Sequence, residues 1–331
     1  MTQRPANASR RLRPELAVVD TPAEKRSGFF TGLADREEIL APAFLAPAVA
    51  YIILLVGVPV TLAIAFSVTD VTVGDTSLDF VGLANFRAVF QTPQFRRALV
   101  NSVVFTIAAQ VIVIILANVL AVILAEDFRG KWLARFLIIL PWATPISLGT
   151  IGWLWMLDST LSPLDWVMVQ LGLLGPGSLF GPSDHMNFLG KEFLAMASVT
   201  LVHIWRVLPL ATVILVAGLT SIPNDLIDQA KVDGGSFMRI LFRIKLPLIL
   251  PIMAIALLFG IVFTFTDMTV VYVLTRGGPV YYTQVLPVWS FYTGINGGAL
   301  AQGAAIALFL FPVLLAVAIL MLQMARRMEV N

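Results

Sequence analysis

The chain has 331 residues, 58% of them hydrophobic and 13% charged, with no cysteine and a formal net charge of +2. So much apolar side chain exceeds what a soluble core buries and selects the membrane class, while the missing cysteines exclude disulfides, thiolate metal sites and cysteine nucleophiles. A pI near 9.0, with the basic residues set beside apolar segments, speaks of membrane topology and not of nucleic-acid binding.

Residues 1–40 are polar, rich in Arg, Pro and Ala, and carry seven basic residues; the sequence predicts a disordered cytoplasmic tail. The first apolar stretch starts near Ala41, too far along for the pattern of a cleavable signal peptide. From there the chain reads as one transmembrane domain, 41–331, with spans at 42–68, 99–125, 134–157, 194–219, 248–274 and 303–325. Each is close to the roughly 20 residues that cross a ~30 Å hydrocarbon core. An all-α polytopic membrane protein of six helices follows.

Six spans put both termini on one face. Sixteen of the 22 Lys and Arg lie in the tail or in segments sharing its face, five lie on the opposite face, and Arg206 falls within a span. Cationic loops resist translocation, so this bias predicts N-in, C-in, with outer loops at 69–98, 158–193 and 275–302. Trp132, Trp153 and Trp155 fall near the ends of the third span, where indoles favour the interface. The segment 158–193 is interrupted by Pro163, Gly172, Gly175, Pro176, Gly177 and Pro182, which predicts a long loop with one short helix near 163–171.

The inner segment 221–247 is the most informative. It reads as two short helices joined at glycine: Ser221 or Ile222 opens the first, Pro223 suits its first helical position, and Gly234 supplies a left-handed C-terminal cap. Arg239 and Arg243, four apart, face one side of the second and are placed to meet acids on a partner. Asp228, Gln229 and Ala230, followed by Asp233, Gly234 and Gly235 and then by Leu246-Pro247, resemble the EAA signature of ATP-binding cassette (ABC) importer permeases. Asp228 stands for the usual Glu and Gln229 for an Ala. Phe80-Val-Gly-Leu-Ala-Asn-Phe86, Ile139-Leu-Pro141 and Leu274-Thr-Arg-Gly-Gly-Pro279 resemble further landmarks of the carbohydrate-uptake branch.

That resemblance implies a type I ABC importer transmembrane domain in the cell inner membrane, with 221–247 as the coupling loop. It implies a second permease subunit, two ATPase subunits that bind ATP and Mg, and an external solute-binding protein. The solute it implies is a sugar, oligosaccharide or polyol, with a glycerol phosphate derivative as the nearest rival. No phosphate loop occurs: Gly130-Lys131 is followed by Trp132 and Gly190-Lys191 by Glu192, so no ATPase site, no cofactor and no enzymatic activity is expected in this chain. An ATP-independent secondary transporter would more naturally carry an internal repeat, and none is evident.

Two ionisable residues lie inside spans, Arg206 and Asp267, each costing about 2.5–3.5 kcal/mol at a helix centre on insertion scales. On one reading Gly260, Phe263, Thr264 and Asp267, at i, i+3, i+4 and i+7, form a helix stripe that joins Arg206 in a substrate pathway. On the other, Arg206 and Asp267 pair with each other or with the companion subunit and serve packing. His185 and His203 have no second imidazole or carboxylate at ligand spacing, so no metal site is expected. Asp158, Asp165 and Asp184 read as solvated loop residues or contacts for a binding protein, with no catalytic pairing.

Overall fold

The computed structural model describes residues 37–329 apart from Thr76 and Leu161, with side chains from residue 42 to residue 324. The tail expected over 1–40 lies outside the described residues up to 36, and its last four residues already belong to a helix, Glu37–Ile52. By internal contacts the chain falls into two units, Met1–Pro59 and Val60–Asn331. The first described span, α1 (Pro42–Ser67), is a continuous helix with a π turn at Ile53–Gly57. Phe44 and Tyr51 on it are 79% and 65% exposed, which suits lipid and would be ruinous in water.

The remaining elements are helical too; the described residues form no strand, only two isolated bridges, Thr69 with Phe80 and Thr72 with Asp75. They are α2 (Ala84–Gln91), α3 (Pro93–Ala125), α4 (Lys131–Ala143), α5 (Ile146–Met156), α6 (Pro163–Gln170), α7 (Glu192–Thr220) and α8 (Asn224–Val232). Then come α9 (Phe237–Leu248), α10 (Leu250–Phe265), α11 (Thr269–Leu274), α12 (Leu286–Phe291) and α13 (Leu300–Met324). The short helix α6 lies where the loop pattern predicts one, with Ser162 capping it through the Asp165 amide.

The core is built on α3 and α7. Ala109, Val113, Ala117 and Ala121 recur every fourth residue on α3 and are buried together with Ile204, Val207, Ala211, Leu215 and Leu219 of α7. In lipid, apolar side chains gain little by leaving the solvent, so helices associate through close packing, and a stripe of small residues permits it. Elsewhere on α3, Val100, Val104, Ile107, Val111 and Ile115 are exposed, as a lipid-facing surface requires. A second buried cluster joins Phe105, Val199 and Val202 to Val270, Val271 and Val285, and a third joins Phe95 and Ala98 to Phe265, Leu286 and Ile306.

Two of the predicted spans are not straight. The third is broken into α4 and α5, bent by 96°, because Pro145 lacks an amide hydrogen and forces Thr144 into extended backbone (ψ 132°). The fifth, expected over 248–274, opens at a 68° bend at Ile249, just before Pro251, where α10 meets the elbow helix α9. It also stops at Phe265, and α11 follows as a separate helix, so the expected continuous helix over 248–274 does not form. By length and composition four helices can cross a membrane, or six if each bent pair counts as one span.

Candidate functional site: a surface elbow and a buried polar network

The elbow begins at α8, one to three residues later than the sequence suggests: Pro223 precedes the first helical residue and does not occupy it. Its end is a full Schellman turn. Gly234 takes φ +75°, its amide donates to the Lys231 carbonyl at 3.0 Å and the Gly235 amide donates to the Ala230 carbonyl at 2.8 Å. A Cβ on Gly235 would stand 2.6 Å from the Ala230 carbonyl oxygen, so both glycines are required by the turn itself. Ser236 Oγ then accepts from the Arg239 amide at 3.4 Å and opens α9. Arg243 lies inside a π turn, Leu241–Lys245, so the simple α-helical spacing expected between it and Arg239 does not hold, although both are exposed.

Asp228, Gln229, Asp233 and Gly234 are exposed, Ala230 and Gly235 half-buried. Asp228 pairs with Lys231 at 3.0 Å. Val232 stands 87% exposed beside them, an apolar knob on an otherwise acidic face. The elbow is tied to the end of α3 by Lys245 Nζ, 3.3 Å from Glu126 Oε1. Two more cations finish that helix: Lys131 Nζ donates to the Ala125 carbonyl at 3.3 Å and an Arg135 guanidinium nitrogen to the Leu124 carbonyl at 3.2 Å, meeting carbonyls with no partner inside the helix. Lys131 also donates to Asp127 at 2.9 Å, which holds that exposed carboxyl below its usual range.

The second feature lies in the core. Asp267 Oδ2 receives His203 Nδ1 at 2.6 Å and an Arg206 nitrogen at 3.3 Å, while its Oδ1 accepts the Val270 amide at 3.2 Å at the start of α11. His203 Nε2 lies 2.8 Å from Thr264 Oγ1, which also receives Gln110 Nε2 at 2.6 Å and donates to the Gly260 carbonyl at 2.7 Å. His203, Thr264, Gln110 and Asp267 are all buried, at 6% exposure or less. Three elements, α3, α7 and α10, are thus joined with α11 by one chain of hydrogen bonds, and burial is tolerable because each charge and hydroxyl has a partner.

Of the residues expected to form a substrate stripe, Arg206, Thr264 and Asp267 converge in this network, and Gly260 makes room in it for Gln110. Asp267 sits past the end of α10 and so is not at i+7 of a helix face. Phe263 is elsewhere: it stacks on Phe259, centroids 6.4 Å apart, and meets the edge of Trp142 at 5.7 Å. The sequence reading missed His203 and Gln110. His203 does have a carboxylate, Asp267, brought by the fold from 64 residues away; the legible signal was its place three residues before Arg206 on one face of α7. Asp165 is likewise not solvated: it is buried and takes the Met186 amide on both oxygens at 3.2 Å, with His185 at 3.6 Å.

Apolar broken helices around a buried polar network, with a two-helix elbow at one surface, define a multi-pass membrane permease of the type I importer architecture. The chain belongs to the family of binding-protein-dependent transport system inner membrane components, whose profile matches residues 117–330. It is similar to a probable ABC transporter permease protein of Brucella suis, with 30% identity over 246 residues, covering 74% of this chain and 82% of that one. It is also similar to the trehalose/maltose transport system permease protein MalF of Thermococcus litoralis, with 29% identity over 247 residues, covering 75% and 80%. Its fold matches a solved bacterial ABC transporter involved in import of the acidic polysaccharide alginate, with TM-score 0.74 over 91% of this chain and 99% of that chain at 20% identity.

Proposed function

We propose that the chain is one permease half of an ATP-driven, binding-protein-dependent importer of a sugar, oligosaccharide or polyol. It crosses the inner membrane six times with both termini inside, as the bias of basic residues supports. A second permease completes the pathway, two ATPase subunits dock at the elbow, and an external binding protein delivers solute. The observation that carries this reading is the elbow: a rigid Schellman-turned helix pair, exposed on one face and tied through Lys245 and Glu126 to α3, is built to pass a push from a docked partner into the core helices.

Asp228, Gln229, Ala230, Asp233, Gly234 and Gly235 form the docking element, with Val232 as its apolar contact. The Phe259–Phe263–Trp142 surface supplies aromatic faces on which a sugar ring stacks. Arg206, Gly260, Thr264 and Asp267 act in the pathway as its support: they fix α10 against α3 and α7, and α11 against both. The bent pairs α4–α5 and α9–α10 carry irregular backbone of the kind a membrane protein tolerates where protein buries it or a pathway passes; at the second bend Ile249 is buried against α3 and α7.

The test is purification of the tagged chain from its native membrane, identification of its companions, and ATP hydrolysis by the complex with binding protein and candidate sugars. An ATPase companion that is lost on deleting 224–235, and hydrolysis stimulated by a liganded sugar-binding protein, is the expected result. Stimulation by a glycerol phosphate derivative alone would move the solute class to that rival. A chain that purifies alone and transports in liposomes without ATP would sink the whole reading.

A further inference from the structure

A groove of about 910 Å3 runs between α3 and α7, apart from the elbow, the polar network and the aromatic surface. Its walls are apolar, and small Ala108 on α3 and Ala197 on α7 leave width between the outward rims of the two helices. At the end where α3 begins, the lining changes character to Arg96, Arg97, Asn101 and Tyr282.

Both arginines are exposed, and among the described residues neither has a carboxylate in ion-pair reach. The Arg97 guanidinium lies over the Tyr282 ring, 4.7 Å from its centroid. That ring is held in place from below: Asn101 Nδ2 donates to the carbonyls of Tyr281 at 3.1 Å and Gln284 at 3.0 Å, fastening the loop to α3. The amide end of α3, opened by Pro93, adds positive potential at the same place. On the opposite rim Phe193, in the first turn of α7, is 77% exposed.

Cations and aromatic rings at a mouth, with an apolar slot beneath, match an amphiphile with a negative head. We propose that this groove holds an anionic phospholipid, its phosphate on Arg96 and Arg97 and an acyl chain along Val104, Ala108 and Ala197. A zwitterionic lipid brings its own cation toward the two guanidiniums, and a companion helix would have to bring carboxylates to them. An anionic lipid satisfies both arginines from the medium the groove already faces.

The complex purified from its native membrane is exposed to equal amounts of phosphatidylglycerol and phosphatidylcholine with the same acyl chains, and retained lipid is read by native mass spectrometry. At about fivefold per arginine near an anionic lipid, the double variant Arg96→Gln/Arg97→Gln loses about 25-fold of the preference for phosphatidylglycerol, while Arg87→Gln keeps it. Because the chain has no cysteine, Ala108→Cys gives a single thiol in the groove. A membrane-soluble maleimide labels it more slowly in phosphatidylglycerol than in phosphatidylcholine, and that difference disappears when both arginines are replaced. Equal retention of the two lipids overturns the proposal. So does protection of Cys in either lipid alike, which would assign the groove to a companion subunit.

Discussion

Gly260 on α10 makes room for Gln110 on α3: a Cβ at position 260 would overlap Gln110 Oε1, and Gln110 in that position donates to Thr264 at 2.6 Å. A residue that looks like open space on a helix face is therefore the seat of a neighbouring side chain. This distinguishes a glycine that lines a solute path from one that packs.

Gly260→Ala is expected to push Gln110 off Thr264 and destabilise the solubilised complex by about 1–3 kcal/mol, the usual range for overpacking. Thermal unfolding of the purified complex checks it. Adding Gln110→Ala to Gly260→Ala should restore part of the loss, because the clash needs both side chains. Equal stability of Gly260→Ala and wild type would mean that the glycine faces an open path after all.

Asp267 Oδ2 holds two partners at once, the His203 ring and the Arg206 guanidinium. Asp267→Ala strands the buried His203 ring and the Arg206 guanidinium together, and removing one member of such a buried pair costs about 3–5 kcal/mol. The expected outcome is failure to assemble, seen as loss of companion subunits on purification. Asp267→Asn keeps the shape and one acceptor, and should recover assembly in part. If Asp267→Ala instead assembles, hydrolyses ATP at the basal rate and fails only in uptake, the carboxylate contacts solute.

The Phe259–Phe263 stack makes the opposite prediction. Phe259 is 48% exposed, and each ring contributes to stacking on one face, worth about 0.5–1.5 kcal/mol beyond area. Phe263→Ala should leave assembly intact and raise the solute concentration needed for half-maximal uptake by about fivefold or more. Unchanged uptake would remove this surface from the pathway.

The apolar class, the helical architecture and the Gly-terminated elbow were legible in the sequence because each rests on local rules: span length, charge beside spans, and a glycine that takes φ +75° without strain. What was not legible depended on long-range placement. His203 and Asp267 are 64 residues apart, and Gln110 and Thr264 are 154 apart; no periodicity links them. The end of α10 at Phe265 was hidden as well, since an apolar run continues through α11 and hydropathy does not register a change of direction. Pro145 and Pro251 were visible, but a proline in a membrane helix is compatible with a kink or with a straight span, and only the packing decides.

Gly234 and Gly235 carry the last prediction. Gly234 at φ +75° has an open surrounding, whereas a Cβ on Gly235 would press on the Ala230 carbonyl at 2.6 Å. Gly234→Val forces an L-residue into left-handed backbone at a cost of about 1–2 kcal/mol, and Gly235→Ala presses directly on the 2.8 Å hydrogen bond from position 235 to the Ala230 carbonyl. Both changes lie in the turn of the elbow and outside the α3–α7 helices themselves, so the purified permease should lose no more thermal stability than the strained turn costs, about 1–2 kcal/mol. Both tilt α8 relative to α9, so a partner that fits the native angle binds about fivefold to thirtyfold more weakly, read as ATPase subunit retained on a column. Gly234→Asn, which tolerates left-handed backbone, should restore retention. Restoration by Asn but not by Val shows that the angle of the elbow is what the partner recognises. Equal retention by all three variants would show that the face of α8 suffices at any angle.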